Sequence, residues 1–188
     1  MKKLWIIILL LISTLIVTWC WGRRVTLEPI RFDTFTIGIP EWFESVPVWL
    51  VENKQIINKV ISAYRINEPT WFDQNIVISR SIIRPWLSFD DFATANTQRM
   101  LRELVWFVPW KKEIITLSCD NQSDWTLQWI LHSFVVEDTF FGQSPEYYIH
   151  QFQFVTEESG YIISFATDQQ RQENLFKTIV KSLECSEW

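Results

Sequence analysis

Glycine is the residue this chain most lacks, with 4 in 188 residues where ordinary usage is about 7%. No Gly-rich loop of the kind that cradles phosphates is present in the pattern of the chain. Basic residues are also few: net charge is −5 and no basic run follows Met1-Lys2-Lys3, which argues against a nucleic-acid partner, since phosphate binding needs clustered Lys and Arg. There is no internal repeat and no low-complexity linker. With 48% hydrophobic and 21% charged residues the chain is globular rather than disordered. No Ser/His/Asp or Cys/His arrangement stands out, so neither an enzyme nor a cofactor is expected.

What is abundant is tryptophan, with 12 residues. Trp42 follows Ile39-Pro40-Glu41, Trp71 follows Glu68-Pro69-Thr70, Trp86 follows Arg84-Pro85, and Trp125 follows Ser123-Asp124. Trp49 and Trp110 likewise lie next to or one residue after a proline. Turn chemistry wants glycine in such places, after Pro in a type II turn or after Asp in a tight hairpin. Some bacterial lineages read the UGA codon as glycine, whereas other codes read it as tryptophan. The positions therefore predict that residues such as Trp19, Trp42, Trp86 and Trp125 are glycine in the native protein. The alternative is a Trp-rich surface that stacks on sugars or lies in a membrane interface.

The N-terminus pairs Lys2-Lys3 with an apolar run from Leu4 to Val17, the pattern of an export signal. Continued through Trp21 the run is just long enough to span a bilayer, so an uncleaved anchor stays open. In either case the domain is delivered outside the cytoplasm, to the cell surface or periplasm, although Arg23 and Arg24 weakly oppose that orientation. Val17-Thr18-Trp19-Cys20 resembles the bacterial lipoprotein signal, in which a small residue precedes the lipidated Cys. Trp19 breaks the pattern and glycine at 19 restores it. Cys20 is thus a lipidation candidate, the alternative being an ordinary thiol at the end of a transmembrane helix.

These readings divide the chain into residues 1–19 as signal peptide or anchor, 20–31 as tether, and 32–188 as one domain. Phe32–Pro40, Ile56–Arg65 and Gln74–Ile83 carry strand patterns. Ser88 caps a helix with Phe89, Phe92, Ala93, Asn96, Met100, Leu101 and Leu104 mostly at helical spacing, ending near 106–110. Glu113–Cys119, Thr126–Glu137, Glu146–Thr156 and Tyr161–Thr167 read as further strands with short connections. Asp168 is expected to cap a last helix that buries Leu175, Phe176, Ile179, Val180 and Leu183. The fold class is α+β, an antiparallel meander flanked by helices.

Three stretches carry a family resemblance. They are Phe35-Thr36-Ile37-Gly38-Ile39-Pro40-Glu41-Trp42-Phe43, Asn75-Ile76-Val77-Ile78-Ser79 with Phe89-Asp90-Asp91-Phe92, and Tyr161-Ile162-Ile163-Ser164-Phe165-Ala166-Thr167 with the final helix. Their order resembles the PsbP/DcrB type of domain, many of whose bacterial members are lipoproteins. Trp42 departs from the family's glycine. The resemblance implies an antiparallel sheet flanked by helices and says little of function, because the fold hosts photosystem accessory proteins and envelope lipoproteins alike.

Among candidate site residues, His132 and His150 could approach across a hairpin of residues 126–137 and 146–156, but a metal would need a third ligand. No metal is therefore assigned to them. Cys119 and Cys185 could form a disulfide outside the cytoplasm, the alternative being two free thiols. The expected function is a membrane-anchored envelope lipoprotein with a non-catalytic binding or accessory role. Its partners would be the membrane, through an N-terminal lipid or helix, and another envelope protein. The alternative is a small-molecule or polysaccharide binder that uses a groove or exposed Trp.

Overall fold

A computed structural model describes residues 25–50, 59–66, 74–84, 87–103, 108–118, 126–137, 146–156, 158–168 and 172–185, with the backbone alone for 103–147. Among the described residues ten strands and two α-helices follow in order: β1 Leu27–Arg31, β2 Phe35–Pro40, β3 Glu44–Ser45, β4 Lys59–Arg65, β5 Asn75–Ile82, α1 Phe89–Glu103, β6 Val108–Ser118, β7 Thr126–Glu137, β8 Glu146–Val155, β9 Ser159–Thr167, α2 Glu173–Lys181 and β10 Glu184–Cys185. Seven strands form one antiparallel sheet in the order β3-β4-β5-β9-β8-β7-β6, and β1-β2-β10 form a second. The expected α+β class is what the structure shows, with a meander from β6 to β9 and β5 closing onto β9.

Period-two alternation explains the layers. On β8, Tyr148, His150, Phe152 and Phe154 share one face, and in register with them β9 presents Tyr161, Ile163 and Phe165. Phe35, Ile37 and Ile39 of β2 and Phe176, Ile179 and Val180 of α2 close this face into the main core. The rings interlock: Phe35 meets Phe154 and Tyr161 edge-on at 5.2 and 5.1 Å, and Phe165 stacks on Phe176 at 5.9 Å. Fully burying each such ring contributes about 2–3 kcal/mol, plus the favourable quadrupole geometry. Among the described residues this core contains no tryptophan.

The opposite face carries Gln151 and Gln153 of β8 and Ile162 and Ser164 of β9, and α1 lies on it through Phe92, Ala93, Asn96 and Met100. Gly160 makes this approach feasible, since a Cβ there would sit 2.4 Å from Cε2 of Phe92. Gly38 does the same in β2, where a Cβ would lie 2.7 Å from Cβ of Leu27 and 2.9 Å from Oγ of Ser182.

Several expectations need correction. Residues 27–31, assigned to the tether, form β1, because Pro29 sits on an edge strand where a missing N–H does no harm. β6 begins at Val108 rather than Glu113, again across a proline on an edge, with a bulge between Pro109 and Lys111. Asp168 does not cap the last helix. The helix starts at Glu173 after Gln172, which makes no side-chain cap bond. Leu101 points outward, half exposed, while Leu104 lies outside the described residues.

Candidate functional site

Ser88 begins α1 as its spacing predicts: its Oγ accepts the Asp91 N–H at 3.1 Å and donates to Oδ2 of Asp91 at 2.7 Å. The helix so started presents Asn96 to the sheet. Asn96 Nδ2 donates to Gln151 Oε1 at 3.1 Å, and Gln151 Nε2 donates to Ser164 Oγ at 3.0 Å. Arg99 Nη2 donates to the side-chain Oδ1 of Asn96 at 2.8 Å. Gln153, 0% exposed, reaches Gln151 Oε1 only at 3.5 Å, and among the described residues its own Oε1 accepts no hydrogen bond. A buried acceptor left unmet costs about 1–3 kcal/mol. The cluster consists of neutral amides and a hydroxyl, suited to hydrogen bonding rather than to proton transfer at neutral pH.

A second polar group lies at the opposite end of the sheet from the Pro40 turn. Arg80 Nε donates to Ser159 Oγ at 2.8 Å, its guanidinium lies 5.9 Å from the Tyr161 ring centroid, and Asp33 approaches it at 4.0 Å. Thr34 Oγ1 donates to the Tyr161 hydroxyl at 3.1 Å. The ion pair is solvent-exposed and contributes little. Beside it Ile82 ends β5 with 91% of its surface exposed.

The residues singled out in the sequence are placed as follows. His150 is 1% exposed, with its ring against Phe165 and Phe176 at 6.0 and 5.7 Å. β7 sets Ser133, not His132, opposite His150, and His132 opposite Gln151. The two histidines are therefore not directly opposed in the register, and the His132 side chain lies outside the described residues. Among the described residues no three His, Cys, Asp or Glu converge in a metal-binding arrangement. Cys185 lies in β10 across from Phe35 and is disulfide-bonded. Cys20 and Cys119 lie outside the described residues, as do Trp19, Trp71, Trp86 and Trp125.

Trp42 and Trp49 are the tryptophans whose side chains are described, and they are 45% and 73% exposed. Trp42 occupies the third position of the turn that the Phe43 N–H closes onto the Pro40 carbonyl at 2.9 Å. This is where a type II turn takes glycine. The Asn96–Gln151–Gln153 cluster was not foreseen as a site. Asn96 belongs to the helix stripe, and the two glutamines alternate with Phe152 and Phe154, but nothing local says that α1 will cover them.

No protein-family model and no curated protein matches the sequence. Solved structures do resemble the fold. The solution structure of cyanobacterial PsbP (CyanoP) from Synechocystis superposes with a TM-score of 0.55 at 15% identity, covering 89% of this chain and 97% of that one. The crystal structure of a protein of unknown function from Pseudomonas aeruginosa, described as a putative regulator, gives 0.54 at 14% identity, covering 87% and 99%. At such identities the likeness concerns the fold alone, and the chain has a PsbP-like α+β fold.

Proposed function

We propose that the chain is an exported lipoprotein, tethered to the membrane through Cys20, with a non-catalytic binding or accessory role in the cell envelope. The observation that carries this reading is the order of the N-terminus: a basic start, an apolar run to Val17, then Val17-Thr18-Trp19-Cys20. The first described strand, β1, starts a few residues later, at Leu27. No described helix is long and apolar enough to cross a membrane, and the apolar run itself lies outside the described residues. The disulfide at Cys185 supports an oxidising compartment, with Cys119 as the partner we propose. The cluster buried beneath α1 is made of hydrogen-bonding amides and a hydroxyl, which supports a binding role.

Glycine at Trp19 is part of the proposal, because signal peptidase needs a small residue there. The same substitution suits Trp42 in its turn. Mass spectrometry of the protein purified from its own source tests both points. A diacylglyceryl Cys20 at the mature N-terminus and glycine at 42, 86 and 125 are expected, and an intact Met1 end with tryptophan at those positions would sink both. In that event the exposed indoles of Trp42 and Trp49 favour the second reading, a polysaccharide or small-molecule binder.

A further inference from the structure

We infer that the domain stands on the bilayer by one end, with the Pro40–Phe43 turn at the lipid headgroups and the Arg80–Ile82 end pointing away. The inference rests on the anchored reading above. It follows from where the anchored chain enters the fold. Leu27 pairs with Pro40, and the Thr26 carbonyl accepts the Glu41 N–H at 3.3 Å, so the tether arrives beside this turn. Phe43 packs on Phe165 at 6.2 Å, and Phe165 pairs with Ile76 near the start of β5. The turn is therefore level with one end of the sheet. Ile82 closes the other end of β5, eight residues long, about 23 Å away at about 3.3 Å per residue.

Between Cys20 and Val25 the chain can extend by at most about 18 Å, whereas a fold of this size measures about 40 Å across. Such a tether is too short to let the domain turn over. Inverting it would require the chain to run along more than the length of β5 while fully extended. Exposed Glu41 within the turn and Glu44 just after it disfavour deeper insertion among anionic lipids, so contact is at headgroup level. The geometry does not use the identity of residue 42. If that residue is tryptophan, its half-exposed indole lies at the depth that indoles prefer.

The test uses the full acylated chain in phosphatidylcholine/phosphatidylglycerol vesicles that carry a headgroup energy acceptor. Fluorescent donors are placed singly through Trp42→Cys and Ile82→Cys. Transfer several-fold stronger from position 42 than from position 82 is expected. A Gly/Ser insertion of about 20 residues between Arg24 and Val25, long enough to release the domain, should erase the difference. Equal transfer from both positions in the membrane-bound parent overturns the orientation alone, as does a difference that survives the insertion. A chain recovered unacylated and unbound overturns the anchored reading, and the orientation with it.

Discussion

The two faces of the large sheet are made by the same strands yet are covered by different chemistry. Beneath β2 and α2, β8 and β9 present Phe152, Phe154, Tyr161, Ile163 and Phe165, interlocked with Phe35 and Phe176. Beneath α1 the same strands present Gln151, Gln153, Ser164 and Gly160, joined to the helix by amide hydrogen bonds and by one ring, Phe92. The aromatic face gains from apolar area and geometry. The amide face buries fewer large apolar groups, Phe92, Met100 and Ile162 among them; its polar contacts add only the net value of a hydrogen bond, about 1 kcal/mol each, and it must carry the cost of any group left unmet. The stability of this fold should therefore sit mostly under β2 and α2.

The largest expected effect lies there. Phe165→Ala removes a fully buried ring that touches Phe43, His150 and Phe176 and should cost about 3–5 kcal/mol, measured by urea unfolding with an unchanged m-value. A loss below about 1 kcal/mol would contradict the assignment of the main core to this face. Next is Gly160→Ala under α1, where the new methyl meets Phe92. Overpacking there should cost about 1–3 kcal/mol. Combining it with Phe92→Leu should recover part of that cost, and additive losses in the double mutant would show that the two residues do not touch.

A smaller effect is expected at the start of α1. Ser88→Ala deletes the Oγ that accepts the Asp91 N–H and should cost about 1 kcal/mol. Hydrogen exchange should quicken in the first turn of α1 and not in α2, which has no side-chain cap to lose. Equal quickening in both helices would mean that α1 and α2 unfold as one unit.

How much of this was legible in the sequence depends on which interactions are local. Thr126–Glu137 was bounded correctly because alternation and flanking turns are written in adjacent residues, and Ser88 was found because its partner is three positions away. β1 was missed because Pro29 reads as a breaker until an edge position makes it harmless. β10, two residues long, exists only because β2 offers Thr36 and Phe35 as partners. The candidate site is the least legible part. Asn96 and Gln151 are 55 residues apart, and the pattern of β8 says that its glutamines leave the aromatic face without saying what covers them. The histidines show the related point that a hairpin's register, not its existence, decides which residues stand opposite one another.

The smallest effect, at Gln153, tests the amide face most directly when it is read against a larger one at Gln151. Gln151 serves Asn96 and Ser164 at once, so Gln151→Met strands a donor and removes a partner, and should destabilise by about 1–3 kcal/mol. Gln153→Met is nearly the same change in volume two positions along the same strand, but it removes a carboxamide whose oxygen has no partner and whose nitrogen makes one long bond. Its loss should be neutral or slightly stabilising, within about 1 kcal/mol, because replacing an unmet buried polar group by an apolar one of similar shape relieves its desolvation cost. The pair compared in one unfolding series separates a connected amide from a stranded one. If Gln153→Met costs as much as Gln151→Met, the Gln153 oxygen must have a donor in solution, an ordered water being the simplest, and the polar face beneath α1 is more completely bonded than its side-chain contacts indicate.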